Sequence, residues 1–360
     1  MAVVLALLAA PRGVRLLAAH SLALELLAPG WAPTFQQPAR SEAAINESPA
    51  DVYRPPGLAR GGLLLVHGLS RYGKSHPAFQ RVAQSLARAG FVVLAPDFDE
   101  LKAFHLAEAD VAHVVRAVRR LGELAPPPIG IIGVSFGAGP ALLAAADPSI
   151  RDRVDLVGSL GGYYDLVNVA TFITTGWFEN NGRWIQVRQQ EYNRWKLLAA
   201  LTPYVTDPAE QRRLQRIVDL RLANPGVAVR SEVERLGPEG QRLFALVENR
   251  DRDRVGSLLA ALGQGARMAF ERLSPAASIG RVRARVLIAH GRDDDSIPFT
   301  ESLRLARAAP NAGRPVIFEG LRHAFPSESG WLARLSLLKE LERLVWLLDE
   351  LLGMRRQPEG

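Results

Sequence analysis

The stretch Ile129-Gly-Ile-Ile-Gly133-Val-Ser135-Phe-Gly137-Ala-Gly-Pro-Ala-Leu-Leu-Ala-Ala-Ala146 decides how the rest of the chain is read. Its first five residues form a nearly continuous apolar run, the pattern of a short strand buried on both faces. Phe136 onward reads as a helix. The junction is Gly-Val-Ser-Phe-Gly, in which a serine on a sharp turn takes up strained backbone angles and the flanking glycines leave room for neighbouring chain. The pentapeptide alone is a weak signal, and its position between strand and helix is what carries weight.

Similar apolar runs occur at 62–66, 91–95, 156–160, 286–289 and 315–319. Helical periodicity lies between several of them. In 78–89 it runs through Phe79, Val82, Ala83, Leu86 and Ala87 to Gly90, and in 106–121 through Val111, Val114, Val115 and Val118. Residues 331–352 form a long amphipathic helix. Buried strands alternating with helices of this length predict an α/β fold with a doubly wound, mainly parallel sheet. Residues 29–57 read as a linker rich in Pro, Ser, Asn and Asp with one or two short strands, foremost at 51–53. Residues 164–280 break the alternation. No strand is expected there, only helix-like stretches at 184–201, 210–222 and 241–262 separated by Pro203, Pro208, Pro225 and Pro238. The expected organisation is therefore an apolar segment at 1–40, a core formed by 41–163 and 281–360, and a helical cap or lid at 164–280.

A chain of 360 residues with 48% hydrophobic and 22% charged residues can bury a sizeable core. Its net charge of +7 raises the question of nucleic acid. The arginines, however, are mixed with carboxylates, as in Arg250, Asp251, Arg252, Asp253 and Arg254, which reads as solvated helix faces and predicts no nucleic-acid partner. A positive field does favour anionic substrates or lipid head groups. The absence of cysteine removes disulfides, thiolate metal sites and a cysteine nucleophile. His105 and His113 stand eight apart, too far to share a metal, so no metal or cofactor is expected.

At the N-terminus, the apolar runs 3–10 and 16–28 are interrupted by Pro11, Arg12 and Arg15. Neither reaches the approximately 20 residues of a spanning helix. An amphipathic helix packed on the domain or weakly associated with a membrane surface is the favoured reading, ahead of a degenerate export signal or a poor anchor. Location is left open between cytoplasm, membrane surface and export.

A serine hydroxyl needs a base, itself oriented by a third group. Two loops after predicted strands supply polar residues: His290-Gly291-Arg-Asp-Asp294-Asp-Ser-Ile-Pro298 and Glu319-Gly-Leu-Arg-His323-Ala-Phe325. Both lie at the sheet edge where Ser135 stands. With His67-Gly68 after the first long strand, these segments resemble the α/β-hydrolase superfamily, and within it the dienelactone hydrolase-like esterases, over about 61–165 and 281–352. The resemblance implies an α/β-hydrolase fold with the order Ser, Asp, His. Counting from Gly291 and from Ile297-Pro298 then selects Asp294 as the acid, with Asp293, Asp295 and Asp165 as rival positions. It also implies an oxyanion hole made by the backbone N–H groups of Leu69 and Phe136. Dienelactone hydrolases proper use cysteine and lack so large an insertion, so lactone specificity is not carried over.

His67 is expected to be a structural residue beneath its loop. Tyr163, Tyr164, Phe172, Trp177, Phe178 and Trp184 are either the core of the insertion or, with Tyr163, Tyr164 and Trp177 foremost, an apolar wall for substrate. The expected activity is hydrolysis of a small-molecule carboxylic ester or related acyl compound, with Ser135, His323 and Asp294 as catalytic residues. The same triad would serve an amidase, peptidase or acyltransferase. Outside enzymes, the rival is a membrane-associated binding protein that uses the helical insertion.

Overall fold

The computed structural model describes residues 11–27, 37–319, 321–322, 325–326 and 331–355. Its architecture follows from apolar runs that have two faces to bury. Successive side chains of a strand point to opposite sides of the sheet, and in Gly61–Val66 both sides are covered. Leu64 and Val66 join one apolar cluster with Ile131, Val157 and Val286. Leu63 and Leu65 join a second with Val93, Ile132 and Leu287.

Eight strands make the sheet: β1 (Ala39–Ile45), β2 (Ser48–Arg54), β3 (Gly61–Val66), β4 (Phe91–Pro96), β5 (Ile129–Val134) and β6 (Leu156–Leu160), followed, beyond a small hairpin β7 (Trp177–Asn180) and β8 (Arg183–Gln186), by β9 (Arg285–Gly291) and β10 (Val316–Phe318). The spatial order is β1-β2-β4-β3-β5-β6-β9-β10. The pairs β1–β2 and β2–β4 are antiparallel and the others parallel. Helices Glu108–Leu124 and Ala138–Ala145 cover one face. Pro77–Arg88 and Trp331–Leu352 cover the other. The expected strand at 51–53 proves to be the middle of β2, paired with β1 through a turn at Asn46, whose φ is +54°.

Helix Pro11–Leu27 packs Ala19, Leu22 and Ala23 into the second cluster. Arg15 pairs with Asp349 of the C-terminal helix at 2.6 Å, and Glu25 is bound by Arg88 and by Ser85 at 2.5 Å. Its outer side leaves Val14, Leu17 and Leu24 exposed. Among the described residues no helix is long and apolar enough to cross a membrane. The apolar run at 3–10 lies outside the described residues.

Between β6 and β9 the chain differs from the expectation in three places. The hairpin β7–β8 occupies a region read as free of strands. It turns at Asn181 and Gly182, with φ of +51° and +79°, the geometry that the Asn-Gly pair supplies in a two-residue hairpin. Trp184 therefore belongs to β8, and the helix expected from 184 begins at Glu191. The helix expected over 241–262 is divided into Pro238–Glu248 and Val255–Ala260. At the division the buried guanidinium of Arg194 donates to the carbonyls of Val247 and Asn249, each at 2.9 Å, and so takes up acceptors at the end of the first helix.

One buried group predicts a pH dependence of stability. Asp110, in the first turn of Glu108–Leu124, is 3% exposed and its Oδ2 has no hydrogen-bond partner among the described residues. Burial, then the nearby charge of Glu100, pushes its carboxyl up to about 8. The unfolded chain releases this proton near the ordinary aspartate value, so the folded state binds more protons in between and stability falls as pH rises from about 4 to about 8. Denaturant unfolding at pH 5 and pH 8 should show wild type losing more stability over that interval than Asp110→Asn, by a few kcal/mol. Parallel losses in the two proteins would contradict a carboxyl held neutral by burial.

Candidate active site

Ser135 follows β5 with φ of +53°, a left-handed conformation that a serine holds only when its surroundings impose it. The neighbours impose it by contact. A Cβ on Gly133 would lie 2.5 Å from Cα of Ala138, one on Gly68 would lie 2.9 Å from Cβ of Ser135, and one on Gly137 would collide with the carbonyl oxygen of His67. The turn after β5 and the loop after β3 thus touch through backbone, and Leu69 and Phe136 line the same cavity as Ser135.

His67 is 2% exposed. Its Nε2 accepts the N–H of Phe98 at 3.0 Å, which leaves Nδ1 to donate to the carbonyl of Gly68 at 2.8 Å. Burial lowers its pKa, so it is a neutral ring bracing the loop.

Asp294 lies in the loop after β9, 6% exposed. Its Oδ1 accepts the N–H groups of Ser296 at 2.8 Å and Ile297 at 3.0 Å, and its Oδ2 is 3.5 Å from Nε2 of His290. Gly161, at the end of β6 with φ of +63°, is the neighbour that a Cβ would bring to 3.6 Å from Oδ2. The rival acids are placed differently. Asp293 is exposed, and Asp165 caps helix Leu166–Thr175 by accepting the N–H of Val167 at 2.8 Å. Ser135 and Asp294 thus leave the same edge of the sheet on strands separated by β6, two inter-strand spacings or roughly 10 Å apart.

His323 lies outside the described residues. The chain leading to it departs beside the Asp294 loop. Phe318 pairs with Gly291, the N–H of Arg292 donates to the carbonyl of Phe318 at 2.8 Å, and Arg292 pairs with Glu319 at 2.5 Å. On either side of it in sequence, Leu321 pairs with Pro326 and Arg322 with Phe325.

Two supporting residues carried no motif. His290, 1% exposed, contacts the hydroxyl of Ser302 at 2.7 Å and the carbonyl of Ile297 at 2.9 Å, bracing the Asp294 loop from beneath. Glu301, fully buried, accepts the N–H groups of Tyr164 at 3.1 Å and Asp165 at 2.7 Å and the amide of Asn168 at 3.0 Å. It ties the chain after β6 to the helix after β9, and burial pushes its carboxyl up to about 7.

The cavity at Ser135 has a volume of about 30 Å³. Its walls are apolar, mainly aliphatic, with Leu166, Ile173, Leu197, Leu201 and Leu273 contributed by the segment between β6 and β9 together with the rings of Tyr204 and Phe270. The three aromatics expected as its wall stand elsewhere. Tyr163 is buried behind Phe136, ring centres 5.8 Å apart, with its hydroxyl donating to the carbonyl of Leu273 at 3.1 Å. Tyr164 is half-buried and anchored through its N–H to Glu301. Trp177 is on the hairpin with Arg252 over its ring. Polar groups also reach the cavity: besides Ser135 these are Asn193, Lys196, Tyr204 and Ser296. Among the described residues no cluster of three His, Asp or Glu side chains could hold a metal ion.

A strained serine at the end of a central parallel strand, backed by a glycine-rich loop and flanked by a buried aspartate at the same edge, agrees with what comparison with known proteins finds. The model of the alpha/beta hydrolase family matches residues 63–335. The chain belongs to the alpha/beta hydrolase family. No curated protein matches it in sequence. Among solved structures, this alpha/beta hydrolase is similar to the acylaminoacyl peptidase of Pyrococcus horikoshii, at 13% identity and a TM-score of 0.51 over 91% of this chain and 43% of that one. It is also similar to a puromycin-hydrolyzing peptidase of Mycobacterium tuberculosis, at 18% identity and a TM-score of 0.50 over 91% and 41%. Est1E of Butyrivibrio proteoclasticus matches at 13% identity and a TM-score of 0.44 over 85% and 98%. At these identities the likeness is one of fold, the α/β-hydrolase fold with its eight-stranded sheet.

The backbone contacts around Ser135 make a sharp prediction. Gly137→Ala should lose soluble expression or melt at a much lower temperature, because its Cβ meets the carbonyl of His67. Gly122→Ala, inside helix Glu108–Leu124 with nothing within 4 Å, should instead gain about 0.5–1 kcal/mol. Melting curves for the two variants check this. A Gly137→Ala protein as stable as wild type would refute the packing described.

Proposed function

We propose that this alpha/beta hydrolase cleaves a carboxylic ester by acyl transfer, with Ser135 as nucleophile, His323 as base and Asp294 as the group that orients the imidazole. The observation that carries the reading is Ser135 itself, held at φ of +53° and facing an apolar cavity. Support for the acid comes from Asp294 being the buried carboxylate of its loop and being fixed by two backbone donors. The kinship with dienelactone hydrolase-like esterases, narrower than the family match, rests on the Gly291 to Pro298 loop and belongs to the proposal as well.

The chemistry follows. His323 takes the proton of Ser135 as Oγ adds to the ester carbonyl carbon, and the resulting oxyanion is held by the N–H groups of Leu69 and Phe136, each worth about 2.7–4 kcal/mol in such sites. Collapse breaks the bond to the alcohol, which leaves with the proton from His323. Water, deprotonated by the same imidazole, then releases the acid and restores Ser135. A cavity of about 30 Å³ is far below the roughly 300–1,000 Å³ of a ligand pocket. Residues 164–280 therefore act as a lid whose helices part to admit substrate.

A fluorophosphonate probe should label wild type and fail on Ser135→Ala. Against p-nitrophenyl esters, His323→Ala and Asp294→Asn should each lower kcat by about three to four orders of magnitude. Ester turnover should rise with pH through about 7 as the imidazole loses its proton. Equal labelling of Ser135→Ala, or full activity without His323, would overturn the triad. Faster cleavage of the matching p-nitroanilides would replace the ester reading by an amidase one.

A further inference from the structure

Lys196 is an unusual residue to find on the wall of an apolar cavity. It stands on helix Glu191–Leu201 among Trp195, Leu197, Leu198 and Leu201, and it lines the same space as Ser135. Among the described residues its ammonium has no carboxylate in ion-pair range and no hydrogen-bond acceptor. What holds it is aromatic: Nζ lies 4.5 Å from the ring centre of Tyr192 and 5.6 Å from that of Phe104. Such contacts partly offset desolvation without consuming the charge. Phe104 is kept in place at φ of +64° while 5% exposed, and the guanidinium of Arg71, on the loop after Leu69, lies over the same ring at 5.6 Å. Burial pulls the pKa of Lys196 down to about 8, with Asp295 the one charge acting to raise it.

Apart from Ser135, the other polar groups of the cavity already have partners, the hydroxyl of Tyr204 donating to the carbonyl of Leu106 at 2.7 Å. The amide of Asn193 donates to the carbonyl of Asp295 at 2.7 Å and accepts from the hydroxyl of Ser296 at 3.2 Å. Among the described residues Lys196 is, beside Ser135, the cavity group that brings an uncommitted donor. A neutral aliphatic side chain would avoid the desolvation that a half-buried ammonium suffers, so beyond these aromatic contacts the fold gains nothing from a lysine here. A substrate carrying a negative charge would.

We infer that Lys196 is a specificity-determining residue, which receives a carboxylate carried by the acyl or alcohol part of the substrate while Ser135 attacks the ester. The substrate class is then a half-ester of a dicarboxylic acid or an ester of similar charge. This rests on the ester-hydrolase reading, and the two are tested separately as follows.

Turnover of the p-nitrophenyl half-esters of succinic, glutaric and adipic acids is compared with that of neutral p-nitrophenyl esters of equal length. The ratio of kcat/KM, anionic over neutral, should exceed one for at least one length, fall at least tenfold in Lys196→Met through KM more than kcat, and recover in large part in Lys196→Arg. Lys196→Met should melt no lower than wild type, which separates loss of recognition from loss of fold. In parallel, monomethyl glutarate and monomethyl adipate are titrated calorimetrically into Ser135→Ala and Ser135→Ala/Lys196→Met. Binding should be seen in the first and be weakened at least tenfold in the second. Ester turnover with a ratio unmoved by Lys196→Met would overturn the inference and leave the ester reading standing. Binding that depends on Lys196 in a protein that turns over no ester would do the reverse. Neither turnover nor binding would remove both.

Discussion

The site depends on one steric constraint, the contact of two pieces of backbone. The turn after β5 presses against the loop after β3 so closely that Gly137 and Gly68 have no room for a side chain, and it folds back on its own strand so tightly that Gly133 has none either. That contact holds Ser135 in a conformation it would not adopt alone, at a penalty of order 1–3 kcal/mol that the surrounding packing must offset. It also fixes where the peptide groups of Leu69 and Phe136 stand relative to the hydroxyl. The strain at Ser135 and the placing of these two peptide groups are consequences of the same packing.

Around this contact, buried polar groups set the positions of the loops. His67 braces the loop after β3, His290 the loop after β9, and Glu301 joins the chain after β6 to the helix after β9. Each uses hydrogen bonds to backbone groups that would otherwise be left unsatisfied away from water. The aspartate proposed as the acid is treated in the same way, with two backbone donors on one oxygen. Three loops from three parallel strands are thereby held in a constant relation at one sheet edge.

The segment over that edge is built on different terms. Its helices cover Ser135 with apolar side chains, and its arginines serve structure: Arg194 takes up carbonyls at a helix end and Arg252 stacks on Trp177 and Trp184. Lys196 departs from this pattern, because it lines the cavity and among the described residues has no anion in ion-pair range.

The strands β3, β4, β5, β6, β9 and β10, their mainly parallel arrangement and the turn at Ser135 were legible in the residues themselves, since two-faced burial writes a continuous apolar run and a tight strand-to-helix turn requires glycine at set positions; β1, in a stretch read as linker, was not. The hairpin at Asn181-Gly182 was equally legible by its turn residues, although the surrounding helical periodicity hid it. Which tyrosines reach the cavity was not, because Tyr163 turns behind Phe136 through packing with residues more than a hundred positions away. The same holds for Glu301 and Lys196, which carry no local motif. A side chain's role in a site depends on distant segments that share its space, and pattern along the chain records only the local geometry that brings those segments to the same edge.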